Sequence, residues 1–156
     1  MIVSDDFKLT KVESNATSLA VSGNQSLTVE GLKIEAQYLL HSCGSLLILS
    51  DNQPFEERIN VHLIDNNKLL DTLEISPPYQ SIIIEDSQII DDQTIGLTIN
   101  NDQFLIHVRT TAIGLLEKLK LLTQGEKFGK NGLLTFQNPH STPWNWRCAM
   151  WCMVVR

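Results

Sequence analysis

Two histidines in this chain of 156 residues have a spacing that could do chemistry. His62 lies in INVHLI and His107 in QFLIHVR, two stretches that read as strands, and two imidazoles on one sheet face could pass protons near neutral pH. If Ile59, Val61 and Leu63 face a core, His62 points outward beside Asn60; by the same count His107 points outward beside Arg109. This pair is the basis for one reading, a small enzyme. Adjacency weakens the other candidates. Neighbours along a strand point to opposite faces, so Asp5-Asp6, Glu56-Glu57, Glu85-Asp86 and Asp91-Asp92 are not preset to share a proton. His41-Ser42-Cys43 meets the same objection, because a nucleophile and its base are brought together by the fold rather than by consecutive positions.

Metal and phosphate chemistry fare no better. Cys148 and Cys152 share a face in either a strand or a helix, but a zinc site would have to recruit Cys43 or His41 from far along the chain. The loop GEKFGKNG, residues 125–132, has the glycines and lysines of a phosphate loop but one residue too few, and Asn131 stands where a magnesium-binding hydroxyl belongs. It reads instead as a basic hairpin loop. No catalytic residue, metal ligand or cofactor is assigned.

The stretch WNWRCAMWC holds all three tryptophans. As a strand it puts Trp144, Trp146, Cys148 and Met150 on one wholly apolar face, the pattern of a strand covered on both sides. The functional alternative is an exposed aromatic anchor made of Trp144, Trp146 and Arg147, residue types enriched where partners bind most tightly.

Charge is unevenly spread. Residues 51–102 carry eleven acids against Arg58 and Lys68, a net of −9, whereas residues 103–156 carry Glu117 and Glu126 against seven bases, a net of +5. The two segments would steer charged partners differently. Arg109, Lys118, Lys120 and the loop lysines could form a basic patch, but an overall charge of −6 argues against nucleic acid as the partner.

The elements that must position these residues are mostly strands. Alternation of apolar and polar residues marks 17–22, 26–30, 31–40, 45–50, 59–64, 69–75, 81–86, 94–100, 103–109, 132–137 and the final segment. In GLKIEAQYLL, Leu32, Ile34, Ala36, Tyr38 and Leu40 are expected on one face. Gly23-Asn24, Asp65-Asn66-Asn67, Pro77-Pro78, Asp91-Asp92 and Asn100-Asn101-Asp102 supply tight turns, and such short links can join only antiparallel neighbours. From Ala112, Leu115, Leu116, Leu119 and Leu122 recur with helical period, so one amphipathic helix is expected near 111–123, capped by Thr110 or Thr111 and ended at Gly125. The expected fold is mainly β (α+β): one antiparallel β sandwich or partial barrel spanning 1–156, built as a meander, with that helix packed on it.

This order of elements is similar to that of lipocalin-type barrels, although the Gly-x-Trp signature of that family is absent, since no tryptophan precedes Trp144. The resemblance implies a second reading, a barrel that carries a small apolar molecule. The leading expectation is a protein-binding module whose acids Glu56, Glu57, Asp65, Asp71, Glu74, Glu85, Asp86, Asp91 and Asp92 face a basic protein partner, as an immunity or inhibitor protein would. Three cysteines and an N-terminus without the pattern of an export signal point to a cytoplasmic compartment. No apolar run is long enough for a membrane helix, and an exposed strand edge could pair two copies into a homodimer.

Overall fold

The computed structural model describes residues 1–11, 17–41, 44–51, 58–76, 82–114, 117, 119, 121, 122 and 126–137. Glu56, Glu57, Cys43, Pro77-Pro78 and the whole segment with Trp144, Trp146, Arg147, Cys148 and Cys152 lie outside them.

The described chain is mostly strand, and every pairing is antiparallel. Thirteen strands follow in order: β1 Ile2–Val3, β2 Lys8–Lys11, β3 Thr17–Ser22, β4 Gln25–Glu30, β5 Lys33–Leu40, β6 Gly44–Ser50, β7 Ile59–Asp65, β8 Lys68–Ile75, β9 Ile84–Ile89, β10 Thr94–Ile99, β11 Asp102–Val108, β12 Lys127–Phe128 and β13 Leu134–Gln137. The turns follow from residue type. Asn66, Asn67, Asn100 and Asn101 all have positive φ, between 48° and 67°, which is the paired left-handed geometry that a two-residue hairpin needs and that asparagine tolerates.

Among the described residues the strands divide into three sheets and do not close into a barrel. A central sheet has the order β1-β5-β6-β7-β8, a second sheet β12-β13-β11-β10-β9, and a small sheet β2-β3-β4. The central sheet is covered on both faces. Leu46, Ile48, Val61, Leu63 and Leu73 pack toward Ile95, Leu97, Ile106 and Phe136 of the second sheet, where Phe104 and Phe136 stack at 4.9 Å. On the opposite face, Leu47, Leu49 and Ile64 meet Ala20 and Val29 of the small sheet.

Three expectations are corrected, the first by this double cover. His62 and Asn60 do alternate away from the main core, but the small sheet lies over that face, and both side chains are buried rather than solvated. The single face expected along GLKIEAQYLL is split, because Ile34 pairs with Leu49 and Ala36 with Ile48, leaving Glu35 as an extra residue. Ile34 therefore packs against the second, smaller cluster while Ala36, Tyr38 and Leu40 face the main core.

The amphipathic helix near 111–123 is the third. Thr111–Gly114 is not helical, because the backbone there is held elsewhere: Arg109 N–H donates to the Leu133 carbonyl at 2.7 Å and Ile113 N–H to the Gly132 carbonyl at 3.0 Å. Farther on, Glu117, Leu119, Leu121 and Leu122 have helical backbone, but Leu119 and Leu122 of the expected stripe are exposed while Leu121 is buried. Among the described residues, no helix is long and apolar enough to cross a membrane.

Candidate functional site

The acid that matters most to the architecture is the one on the wrong face of its strand. Asp71 shares the core-facing side of β8 with Leu73 and Ile75 and is 1% exposed. A buried carboxylate needs donors. It has four: Oδ1 accepts from the backbone N–H of Thr72 at 2.9 Å and Asn131 at 2.7 Å, and Oδ2 from those of Leu133 at 2.7 Å and Leu134 at 3.0 Å. Two of these donors, Asn131 and Leu133, belong to the loop between β12 and β13 and a third, Leu134, opens β13, so a side chain of the central sheet grips the second sheet's hairpin. Asn131 adds a side-chain bond to the Leu70 carbonyl, and Lys130 N–H donates to the Thr72 carbonyl at 3.0 Å. The loop glycines are thereby explained. A Cβ on Gly129 would collide with the Asp71 carboxylate, and Gly132 sits at φ 73°. GKNG thus wraps a carboxylate supplied by its own chain.

The clasp builds one wall of a cleft of about 350 Å³ where the three sheets meet. Glu30 comes from the end of β4, Thr72 and Glu74 from β8, and Lys127 and Phe128 from β12. Gly129, Lys130, Glu126 and Leu122 complete it. Charges of both signs converge here. Burial pushes the Lys127 ammonium below the usual lysine range, an effect that the attraction of Glu74 opposes. Burial likewise raises the Glu126 carboxyl, with His107 and Arg109 opposing.

His62 lies behind this wall. Its Nε2 is 2.8 Å from the Glu30 carbonyl, which can only accept, so Nε2 carries the proton and Nδ1 is left to accept from the Thr72 hydroxyl at 3.2 Å. Burial holds the imidazole below its ordinary range, with the Glu30 carbonyl pulling the other way. The ring is a neutral strut between the small sheet and β8. His107 does not meet it: His62 is on the face of the central sheet turned toward the small sheet, while His107 is on the face of the second sheet turned away from the core, with its Nδ1 3.1 Å from Thr94 Oγ1. The proton-relay pair of the sequence therefore does not assemble.

The acids expected on one face are also dispersed. Asp71 is buried, Glu74 lines the cleft, and Asp65 accepts from the Asn66 side chain in the β7–β8 turn at 3.0 Å. Glu85, Asp86, Asp91 and Asp92 are together at the opposite edge, on β9 and the turn into β10. Asp91 accepts from Gln93 N–H at 2.7 Å, and that bond and the Thr94 hydroxyl lower its carboxyl. Asp92 is lowered by its bond to the Met1 amino group at 2.9 Å. That bond also brings the Met1 end of β1 to the β9–β10 turn, so the outer strands of both large sheets run along one edge.

This edge is apolar as well as acidic. Val3 is 74% exposed and Ile83 60%, and Ile2, Leu39, Ile89 and Ile90 are exposed beside them. Sequence reasoning found its acids but missed its exposed isoleucines, of which only Ile83 lies in the expected strand SIIIED. The cleft was missed altogether, although Asp71 in phase with Leu73 and Ile75 was a legible signal that an acid had to find donors inside. Among the described residues, no group of His, Cys, Asp or Glu could hold a metal ion. No protein-family model matches the chain, and no curated protein or solved structure matches it either.

Proposed function

We propose that the protein is a recognition module that takes an extended segment of a basic partner protein along β9. The observation that carries this reading is the composition of one edge: β9 is bonded on one side only among the described residues, and it presents Glu85 and Asp86 alongside exposed Ile83, Ile89 and Ile90. An added strand would gain main-chain hydrogen bonds from the free side, while alternate side chains would meet the isoleucines and the acids. Ile90 N–H donates to Thr94, so by alternation the N–H of Ile89 faces the open side. Charge sets the partner's sign. Lysine and arginine are attracted, whereas a second copy of this chain would bring Glu85 and Asp86 against their own equivalents. Neutralisation of a basic toxin or enzyme in the cytoplasm is the concrete form of this reading.

The test is a displayed library of extended peptides panned against the intact protein. Enriched sequences should alternate basic and aliphatic residues, Ile89→Pro should abolish enrichment without unfolding the protein, and the double reversal Glu85→Lys, Asp86→Lys should turn the preference acidic. Enrichment without basic bias, or unchanged by the reversal, defeats the proposal.

A further inference from the structure

The cleft at the junction of the three sheets lies across the sandwich from β9 and calls for a different occupant. Its walls are fixed by main-chain bonds rather than by surface side chains, since Lys130 N–H is bonded to Thr72 and Asp71 holds the rest of the loop. Lys127 pairs with Phe136 across β12–β13, so its side chain starts from the core-facing side and is half-buried beside β8. There it feels the attraction of Glu74, yet among the described residues no ion pair within 4.0 Å joins Lys127 or Lys130 to Glu30, Glu74 or Glu126. A half-buried ammonium with no carboxylate in contact is poorly compensated. Opposite charges held close but apart leave a gap that a molecule with its own two charges can bridge.

From this arrangement we infer that the cleft binds a small zwitterion of the free amino-acid class, its carboxylate on Lys127, its ammonium on Glu74, and an apolar side chain against Leu122 and Phe128. The ammonium and carboxylate of an α-amino acid are separated by roughly 3 Å, so each end reaches one wall charge through a charge-assisted bond. A volume of about 350 Å³ is at the small end of ligand sites and suits such a molecule. Thr72, already bonded to His62, fixes the floor.

The experiment is an amide proton–nitrogen NMR titration of the full chain with leucine and phenylalanine, and with N-acetyl-phenylalanine and phenylalanine amide as probes that each lack one charge. The amides of Thr72, Gly129 and Lys130 should shift with the free amino acids, and each capped probe should bind roughly tenfold more weakly or worse. Lys127→Met should erase the difference between phenylalanine and its amide, and Glu74→Gln the difference between phenylalanine and its N-acetyl form. The inference is overturned if these amides stay still up to about 10 mM ligand, or if the capped probes bind as well as the free amino acids.

Discussion

The two edges of the sandwich solve the same problem in opposite ways. At the β8 edge the open strand is met by the β12–β13 loop, which is bonded to Thr72 and Leu70 and clamped on Asp71. At the β9 edge no described strand follows, and acids with isoleucines stand in its place. Exposed edges invite pairing with other chains, and proteins blunt them either by cover or by charge. A covered edge serves internal order and can hold a preformed cleft. A charged one remains available to a partner of opposite sign.

The comparison breaks first at the clasp. Asp71→Ala removes the acceptor of four backbone N–H groups, one buried and three part-buried, and should lower stability by about 3–5 kcal/mol, read as a fall in the thermal midpoint, with β9 pairing less affected in amide exchange. A variant with an unchanged midpoint would mean that the loop does not need its carboxylate. Next comes Gly129→Ala, whose new methyl must displace the Asp71 carboxylate; about 1–3 kcal/mol of destabilisation is expected in urea titration.

Acid should separate the two edges by another route. His62 is held below its ordinary range by burial, so the unfolded chain binds the extra proton more readily. The stability this contributes is fully present above the unfolded value of about 6.5 and is lost as pH falls below it, with a slope of at most about 1.4 kcal/mol per pH unit. His62→Gln should flatten the urea midpoint between pH 7 and 5; an unaltered slope would place the proton uptake elsewhere. The smallest effect belongs to the open edge. Asp92 is fully exposed, so Asp92→Asn should leave the thermal midpoint almost unchanged despite losing the Met1 contact. A large drop there would show that the β9 edge is as structural as the clasped one.

Legibility followed the same division. Strands were readable where one face was dry and the other wet, and the Asn-Asn turns were readable because so few residues tolerate their geometry. What misled was the assumption that a polar alternate meets water. Asn60 and His62 alternate with Val61 and Leu63, yet a third layer of strands covers them, and nothing within INVHLI announces that layer. Glu35 was equally silent, because one extra residue leaves the composition of the strand untouched while changing which face follows. The acids could be counted but not sorted, since their separation onto two edges depends on sheet order. Of the candidate site, residues 125–132 were legible as a basic hairpin loop and Asp71 as an acid in phase with leucine and isoleucine, but nothing in the sequence joined the two.

The grip of Asp71 on Asn131, Leu133 and Leu134 spans 60 to 63 positions of sequence, with four described strands between the residues joined. Its closure can be rewarded only after both sheets exist, since the entropy of drawing such distant segments together comes due before the bonds repay it. The clasp is therefore expected to close late in assembly, as a latch that locks a finished sandwich instead of nucleating one. Weakening it should speed unfolding far more than it slows folding, and the lifetime of the native chain would then be set at a single carboxylate.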